Sequence, residues 1–259
     1  MYKTIVVHVD GAPQCRERIA LAALVAQHQQ AHLVGAAAAP AALPDARRPL
    51  QEALERFEAQ ARTFDVSCET RLGEQEAAAN LTLQARHADL VVLSQSGPDN
   101  GAAQPAQLPE QVALHAGRPV LIMPHIGSSA HLDRHALVAW DGSRAATRAI
   151  GDALPLLRAS KLVTVAVLNP EREYGVHGAQ PGADIALYLA RHGIRVEVLR
   201  QTTSLDQPVG EALLSLAANL QADLFVMGAY GHARWNEILL GGVTRTLLRS
   251  MTLPVLMSH

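Results

Sequence analysis

The chain carries one structural plan twice, and this constrains its fold more than any other feature. ADLVVLSQSG (Ala88 to Gly97) matches ADLFVMGAYG (Ala222 to Gly231) at five of ten positions, with an offset of 222 − 88 = 134. IVVHVDG ends in Asp10-Gly11 and ALVAWDG ends in Asp141-Gly142, an offset of 131. RPVLIMP (Arg118 to Pro124) corresponds to LPVLM (Leu253 to Met257), pairing Pro119 with Pro254 at an offset of 135. Three landmarks in one order, drifting by a few residues, mean duplication. The period is far longer than the roughly 20–50 residues of a solenoid repeat, so the copies are domains. Half of 259 residues is long enough for each copy to bury its own core. The predicted boundaries are 1–125 and 135–259. The linker is 126–134, marked by the Pro, Gly and Ser of PHIGSSAHLDRH (Pro124 to His135).

Within each copy, short apolar runs alternate with longer helical patterns. Predicted strands in the first copy are Thr4–Val9, His32–Ala37, Val66–Arg71, Asp89–Ser94 and Pro119–Met123. In the second they are His135–Trp140, Leu162–Leu168, Arg195–Leu199, Asp223–Gly228 and Pro254–Met257. Their near-continuous Val, Ile and Leu suits strands covered on both faces. Stretches such as Arg16–Gln30 and Val209–Gln221 carry apolar residues at helical spacing. The predicted fold class is α/β, with two tandem open-twisted five-stranded parallel sheets flanked by helices. It is Rossmann-like, with strand order 3-2-1-4-5 in each copy. Pro155 sits inside a helical stretch and should kink it or mark its early end.

The stretch richest in chemistry is Met227 to Ser250, MGAYGHARWNEILLGGVTRTLLRS. A strand ends at Met227-Gly228, Gly231 follows, and after nine intervening residues come Gly241-Gly242, with Val243-Thr244 opening a helix. Glycines allow positive φ and let a ligand touch the backbone. A helix start offers unpaired N–H groups and the positive end of the dipole, which together suit a phosphate. Thr244 adds a hydroxyl, and Arg234 and Arg245 are candidate charges. In doubly wound sheets ligands bind beyond the strand ends where strand order reverses. That places Asp141 beside Gly228, with Val167 and Met227 able to flank a planar base. The same loop also reads as a tight structural turn, and Asp141 and Asp10 also read as helix N-caps.

GAYG, nine residues, then GGVT resembles the G-x-x-G, nine residues, G-(S/T) motif of the ATP-binding universal stress proteins. The ADLFVMG strand, the closing LPVLM strand and the Asp141 turn fit the same family, and the resemblance covers nearly the whole chain. It implies an adenine nucleotide, ATP with or without Mg²⁺, at the switch point, and frequent dimerisation. By motif position it puts Asp141 and Val167 near adenine and ribose, and Met227 and Gly228 at the strand end. Gly231, Gly241, Gly242, Val243 and Thr244 fall around the phosphates. Gly242 stands where the family often has Ser or Thr. The first copy keeps Asp10, but Ser94 replaces the first motif glycine, and Pro105 and Pro109 remove backbone donors. It is expected not to bind a nucleotide in the family manner.

Other classes are disfavoured. Net charge is −2 with 22 scattered Lys and Arg, which is no nucleic-acid footprint. No apolar run approaches the roughly 20 residues of a membrane helix. The start, MYKTIVVHVDG, reads as a strand rather than a signal, and Cys15 and Cys68 are expected to be reduced thiols in a cytoplasmic protein. His125, His131, Asp133 and His135 lack a zinc-motif companion, so no metal site is predicted. No catalytic residue is assigned: the loop has no GK[ST] lysine, and G-x-S-x-G does not occur. The expected function is a stress or regulatory protein that binds nucleotide without efficient turnover. The alternatives are a slow ATPase using Asp141 or Glu237, and a ligand-free protein-interaction scaffold. Partners beyond the nucleotide are unknown, and the chain is expected to be a monomer with pseudo-dimeric domains or a homodimer.

Overall fold

The computed structural model describes residues 1–97, 107–126, 131–172, 180–204, 206–229 and 242–259. The chain divides into two compact units, Met1–His125 and Ile126–His259. The first runs β1 (Thr4–His8), α1 (Cys15–Gln29), β2 (His32–Ala38), α2 (Arg47–Arg62), β3 (Cys68–Gly73), α3 (Ala77–Ala85), β4 (Leu90–Ser94), α4 (Leu108–His115) and β5 (Val120–Met123). The second runs β6 (His135–Ala139), α5 (Arg144–Leu157), β7 (Leu162–Leu168), α6 (Ala183–Arg191), β8 (Val196–Gln201), α7 (Val209–Asn219), β9 (Leu224–Gly228), α8 (Gly242–Ser250) and β10 (Val255–Ser258).

All strand pairs within each unit are parallel. Their order is β3-β2-β1-β4-β5 in the first and β8-β7-β6-β9-β10 in the second. The order read from the sequence is therefore the order found in both. Strands β4 (LVVLS) and β9 (LFVMG) are buried almost throughout, as near-continuous apolar runs require. The edge strands β3 and β8 are more open and carry Glu69, Arg71, Glu197 and Arg200, charges that discourage edge-to-edge pairing.

Helix boundaries follow local chemistry. Helix α1 ends at Gln30, whose left-handed backbone lets its N–H reach the carbonyls of Ala26 and Gln27. Helix α5 runs on to Leu157, two residues past Pro155. Because it ends within that turn, the proline costs one backbone hydrogen bond and does not stop the helix where it stands. Among the described residues no helix is long and apolar enough to cross a membrane.

The ADL landmark that exposes the duplication has a structural cause. Asp89 Oδ2 accepts from the N–H groups of Lys3 at 2.6 Å and Thr4 at 3.0 Å, tying the start of β4 to the start of β1. Asp223 does the same for β9 and β6, accepting from Arg134 N–H at 2.8 Å and His135 N–H at 3.0 Å. Asp223→Ala leaves the partly buried His135 N–H and the exposed Arg134 N–H without their acceptor. It is expected to lower the stability of the second domain by about 1–3 kcal/mol in urea denaturation, with Asp223→Asn costing less. Equal stability of the alanine variant and the parent would overturn this reading.

Candidate functional site

In the second domain the chain lays β7 and β8 on one side of β6 and then places β9 on the other, so the order reverses between β6 and β9. Their register pairs Val138 with Val226. Asp141 lies three residues beyond Val138 and Gly228 two beyond Val226, so both stand at the carboxyl edge of the reversal. Asp141 is half-buried, and its Oδ1 accepts from Ser143 N–H at 2.9 Å. The N-cap of α5 is Ser143, whose Oγ accepts from Ala146 N–H at 3.1 Å. The capping role that the sequence also allows Asp141 therefore belongs to Ser143, and Asp141 shapes the turn before it.

Gly228 has a packing reason to be glycine. A Cβ there would lie 2.5 Å from the carbonyl carbon of Ala145 and 2.5 Å from the nitrogen of Ala146, because the first turn of α5 rests on the end of β9. Met227 is buried and pairs with Met257 across the ladder, and two residues on Ala229 N–H donates to Ser258 O at 2.7 Å. Val167 is 0% exposed and lies beneath Gly182, where an added Cβ would come within 2.9 Å of Val167 Cγ2. Gly182, at φ +82, is the N-cap of α6.

Helix α8 opens at Gly242, which is exposed and would meet nothing within 4 Å if it carried a Cβ. Since β9 and β10 are parallel, α8 must run back between them, which brings its N-terminus and its free N–H groups to the carboxyl edge. Val243 is half-buried, Thr244 is buried and Arg245 is half-buried on that first turn. Gly231, Gly241, Arg234 and Glu237 lie outside the described residues, as do residues 173–179 of the loop from Asn169 to Gly182. The structure thus gathers Asp141, Met227 and Gly228 at the strand ends and Gly242 at a helix start on the same edge, while Val167 lies beneath the turn into α6.

The first domain builds its counterpart of this edge differently. Arg18, on α1, is 0% exposed. Its Nε donates to His8 O at 2.7 Å, one terminal nitrogen donates to Ser94 Oγ at 2.8 Å, and the other donates to Asp10 Oδ1 at 2.6 Å. Asp10 Oδ1 also accepts from Ala12 N–H at 3.1 Å, the same turn that Asp141 makes. His8 is buried beside them, with Nδ1 3.6 Å from Asp10 Oδ2 and in no hydrogen bond. Burial above all, and then the Arg18 charge, push its pKa down to about 4, against the opposing pull of Asp10. Outside this cluster, Gln14 Nε2 lies 3.1 Å from His125 Nδ1, and His125 N–H donates to Gln95 Oε1 at 2.8 Å. Sequence reasoning missed Arg18 and His8. The signal was present in the internal alignment, where offset 131 sets Arg18 opposite Ala149 and His8 opposite Ala139.

Elsewhere, burial and Glu58 raise the Cys68 thiol pKa against the pull of Arg62, which disfavours a reactive thiolate. His131 Nδ1 lies 3.9 Å from Asp133 Oδ1. Among the described residues no three His, Cys, Asp or Glu are grouped to hold a metal ion.

The model of the universal stress protein family matches residues 1–124 and 134–259. No curated protein matches the chain. Among solved structures, a universal stress protein from Archaeoglobus fulgidus DSM 4304 is 16% identical, with 98% of this chain and 97% of that chain covered and a TM-score of 0.71. A protein of unknown function from Pseudomonas aeruginosa PAO1 is also 16% identical, with 99% and 92% covered and a TM-score of 0.66. These likenesses are of fold. A shorter universal stress protein from Archaeoglobus fulgidus, solved in complex with dAMP, is 21% identical over 47% of this chain and 97% of its own, with a TM-score of 0.40.

Proposed function

The chain belongs to the universal stress protein family, and on that footing we propose that its second domain binds an adenine nucleotide, ATP by motif. The protein then acts in the cytoplasm, in stress response or regulation, without efficient turnover. One observation carries the reading: helix α8 opens on an exposed glycine with open space above it, at the same carboxyl edge as Asp141 and Gly228. Free N–H groups and the helix dipole favour phosphate there. Asp141, two residues beyond the end of β6, would accept from a ribose hydroxyl or an amine. Gly231 and Gly241 complete the motif in sequence. Any Mg²⁺ would bind chiefly through the phosphates and water, with Asp141 or Glu237 as the candidate carboxylate.

The test is the small-molecule content of protein purified without added nucleotide, released by denaturation and separated by ion exchange. ATP near one per chain is expected. Gly242→Asp puts a carboxylate at an exposed helix start, which favours the helix and repels a phosphate. It should therefore keep the fold and lose the nucleotide, with affinity down about tenfold or more, since a like-charge contact of roughly 1.4 kcal/mol already gives that factor. ADP or AMP in place of ATP would favour slow hydrolysis. An empty protein that also takes up no ATP in calorimetry would sink the reading and leave an interaction scaffold.

A further inference from the structure

The first domain keeps the carboxylate of the shared plan and spends it on itself. Three acceptors converge at its strand-order reversal: the carbonyl of His8 at the end of β1, Asp10 Oδ1 in the following turn, and Ser94 Oγ at the end of β4. They come from segments up to 86 residues apart and meet on one side chain, which is 0% exposed. A guanidinium does not give up its proton in a protein, so Arg18 is a buried cation that needs its acceptors.

The internal alignment shows what is peculiar to this copy. Ile19, Ala22, Val25 and Ala26 on α1 are buried, and so are Ile150, Ala153, Leu156 and Leu157 at offset 131 on α5. That fixes the helix register and sets Arg18 opposite the buried Ala149. By the same plan His8 stands opposite Ala139, and Ser94 opposite Gly228 at offset 134. Asp10 and Asp141 close the same turn in both copies. The copies thus share the carboxylate and differ at the three positions, Arg18, His8 and Ser94, that surround it in the first domain.

We propose that the reversal point of the first domain is a cation site whose resident ligand is the chain's own Arg18, and that with Arg18 shortened it takes a small guanidinium ion from solution. The chemistry selects the class of ligand. A carboxylate, a carbonyl and a hydroxyl all pointing inward accept from planar N–H donors and repel a phosphate. The three acceptors are met by three separate nitrogens, which a planar guanidinium supplies and the single nitrogen of an ammonium does not. The buried His8 Nδ1, without a hydrogen bond and 3.6 Å from Asp10 Oδ2, borders the same pocket. The inference stands whether or not the second domain binds nucleotide.

Chemical rescue of the full chain tests it. Arg18→Ala is expected to lower the affected thermal transition by about 10 °C or more, as breaking one partner of a buried ion pair does. Methylguanidinium chloride, raised to about 50 mM, should restore much of that loss along a saturating curve, as binding to the folded state requires. Sodium chloride and urea at the same concentrations should not. Wild type, its site filled, should gain nothing, and Arg18→Ala combined with Asp10→Asn should not be rescued. No rescue of a folded Arg18→Ala chain, or equal gains in wild type and the double variant, overturns the proposal. Arg18→Lys and Arg18→Gln cover the case in which the alanine variant does not fold. Lysine keeps the charge and should melt closer to wild type than glutamine, and equal losses would mean a filled space rather than a cation site.

Discussion

Gly228→Ala is expected to lower the stability of the second domain by about 1–3 kcal/mol, with no ligand involved. The added Cβ would stand 2.5 Å from backbone atoms of Ala145 and Ala146, and backbone at the start of a helix cannot swing aside as a side-chain tip can. Helix α5 must lift off β9 or the end of β9 must bend. Gly228→Val should cost more, since its branched carbons meet the same turn. Gly242→Ala is the contrast: it enters open space at a helix start and should change stability by under about 1 kcal/mol, in the stabilising direction if at all. Urea denaturation of the three variants checks this, and coincident midpoints for the two alanine variants would refute it. Nucleotide lost from a Gly228 variant would therefore report a displaced helix as readily as a missing phosphate contact, whereas Gly242 variants report on the ligand.

The second large effect is on acid stability. His8 is buried and neutral, with its pKa lowered from 6.5 to about 4 by burial and Arg18. The unfolded chain takes up the proton near 6.5, while the folded one resists until about 4. Between those values the unfolded state binds more protons, so stability falls as pH falls. The contribution is fully present above pH 6.5 and is lost progressively down to about pH 4, to a total of about 3 kcal/mol. His8→Gln should remove that part of the slope. Urea midpoints at pH 7, 5.5 and 4 for both chains provide the check, and parallel pH profiles would show that His8 is not the group responsible.

Much of the fold was legible because buried parallel strands advertise themselves. LVTVAVL is apolar but for Thr164, and β7 has the bounds its sequence suggests, Leu162–Leu168. Ends were less legible where side chains from elsewhere decide them. β10 reaches Ser258, whose hydroxyl donates to Asp152 on α5, and β3 starts at Cys68 although the apolar run begins at Val66. Asp141 looked able to cap a helix, but the cap needs a side chain one residue before the first turn, and Ser143 is there. At the candidate site, the glycines of the second copy could be read as ligand-facing, whereas the packing demand on Gly228 depends on where α5 lies. Arg18 was hidden for the opposite reason. In CRERIALAALVAQHQ an arginine early in a helix reads as a solvated charge, and only its partners His8, Asp10 and Ser94 show that it points inward.

The central placement of β1 bears on how the chain comes off the ribosome. Thr4 is made first but waits for Asp89, 85 residues later, to receive the carboxylate that tethers it, and β4 completes its second edge only then. At about 5–20 residues per second that delay is about 4–17 seconds. During it the middle strand of the sheet has one flank open to any passing chain. The second copy repeats the interval between His135 and Asp223 while a finished first domain already stands beside the exit tunnel. Nascent-chain protection by chaperones should therefore matter most in two separate windows of synthesis, one per copy.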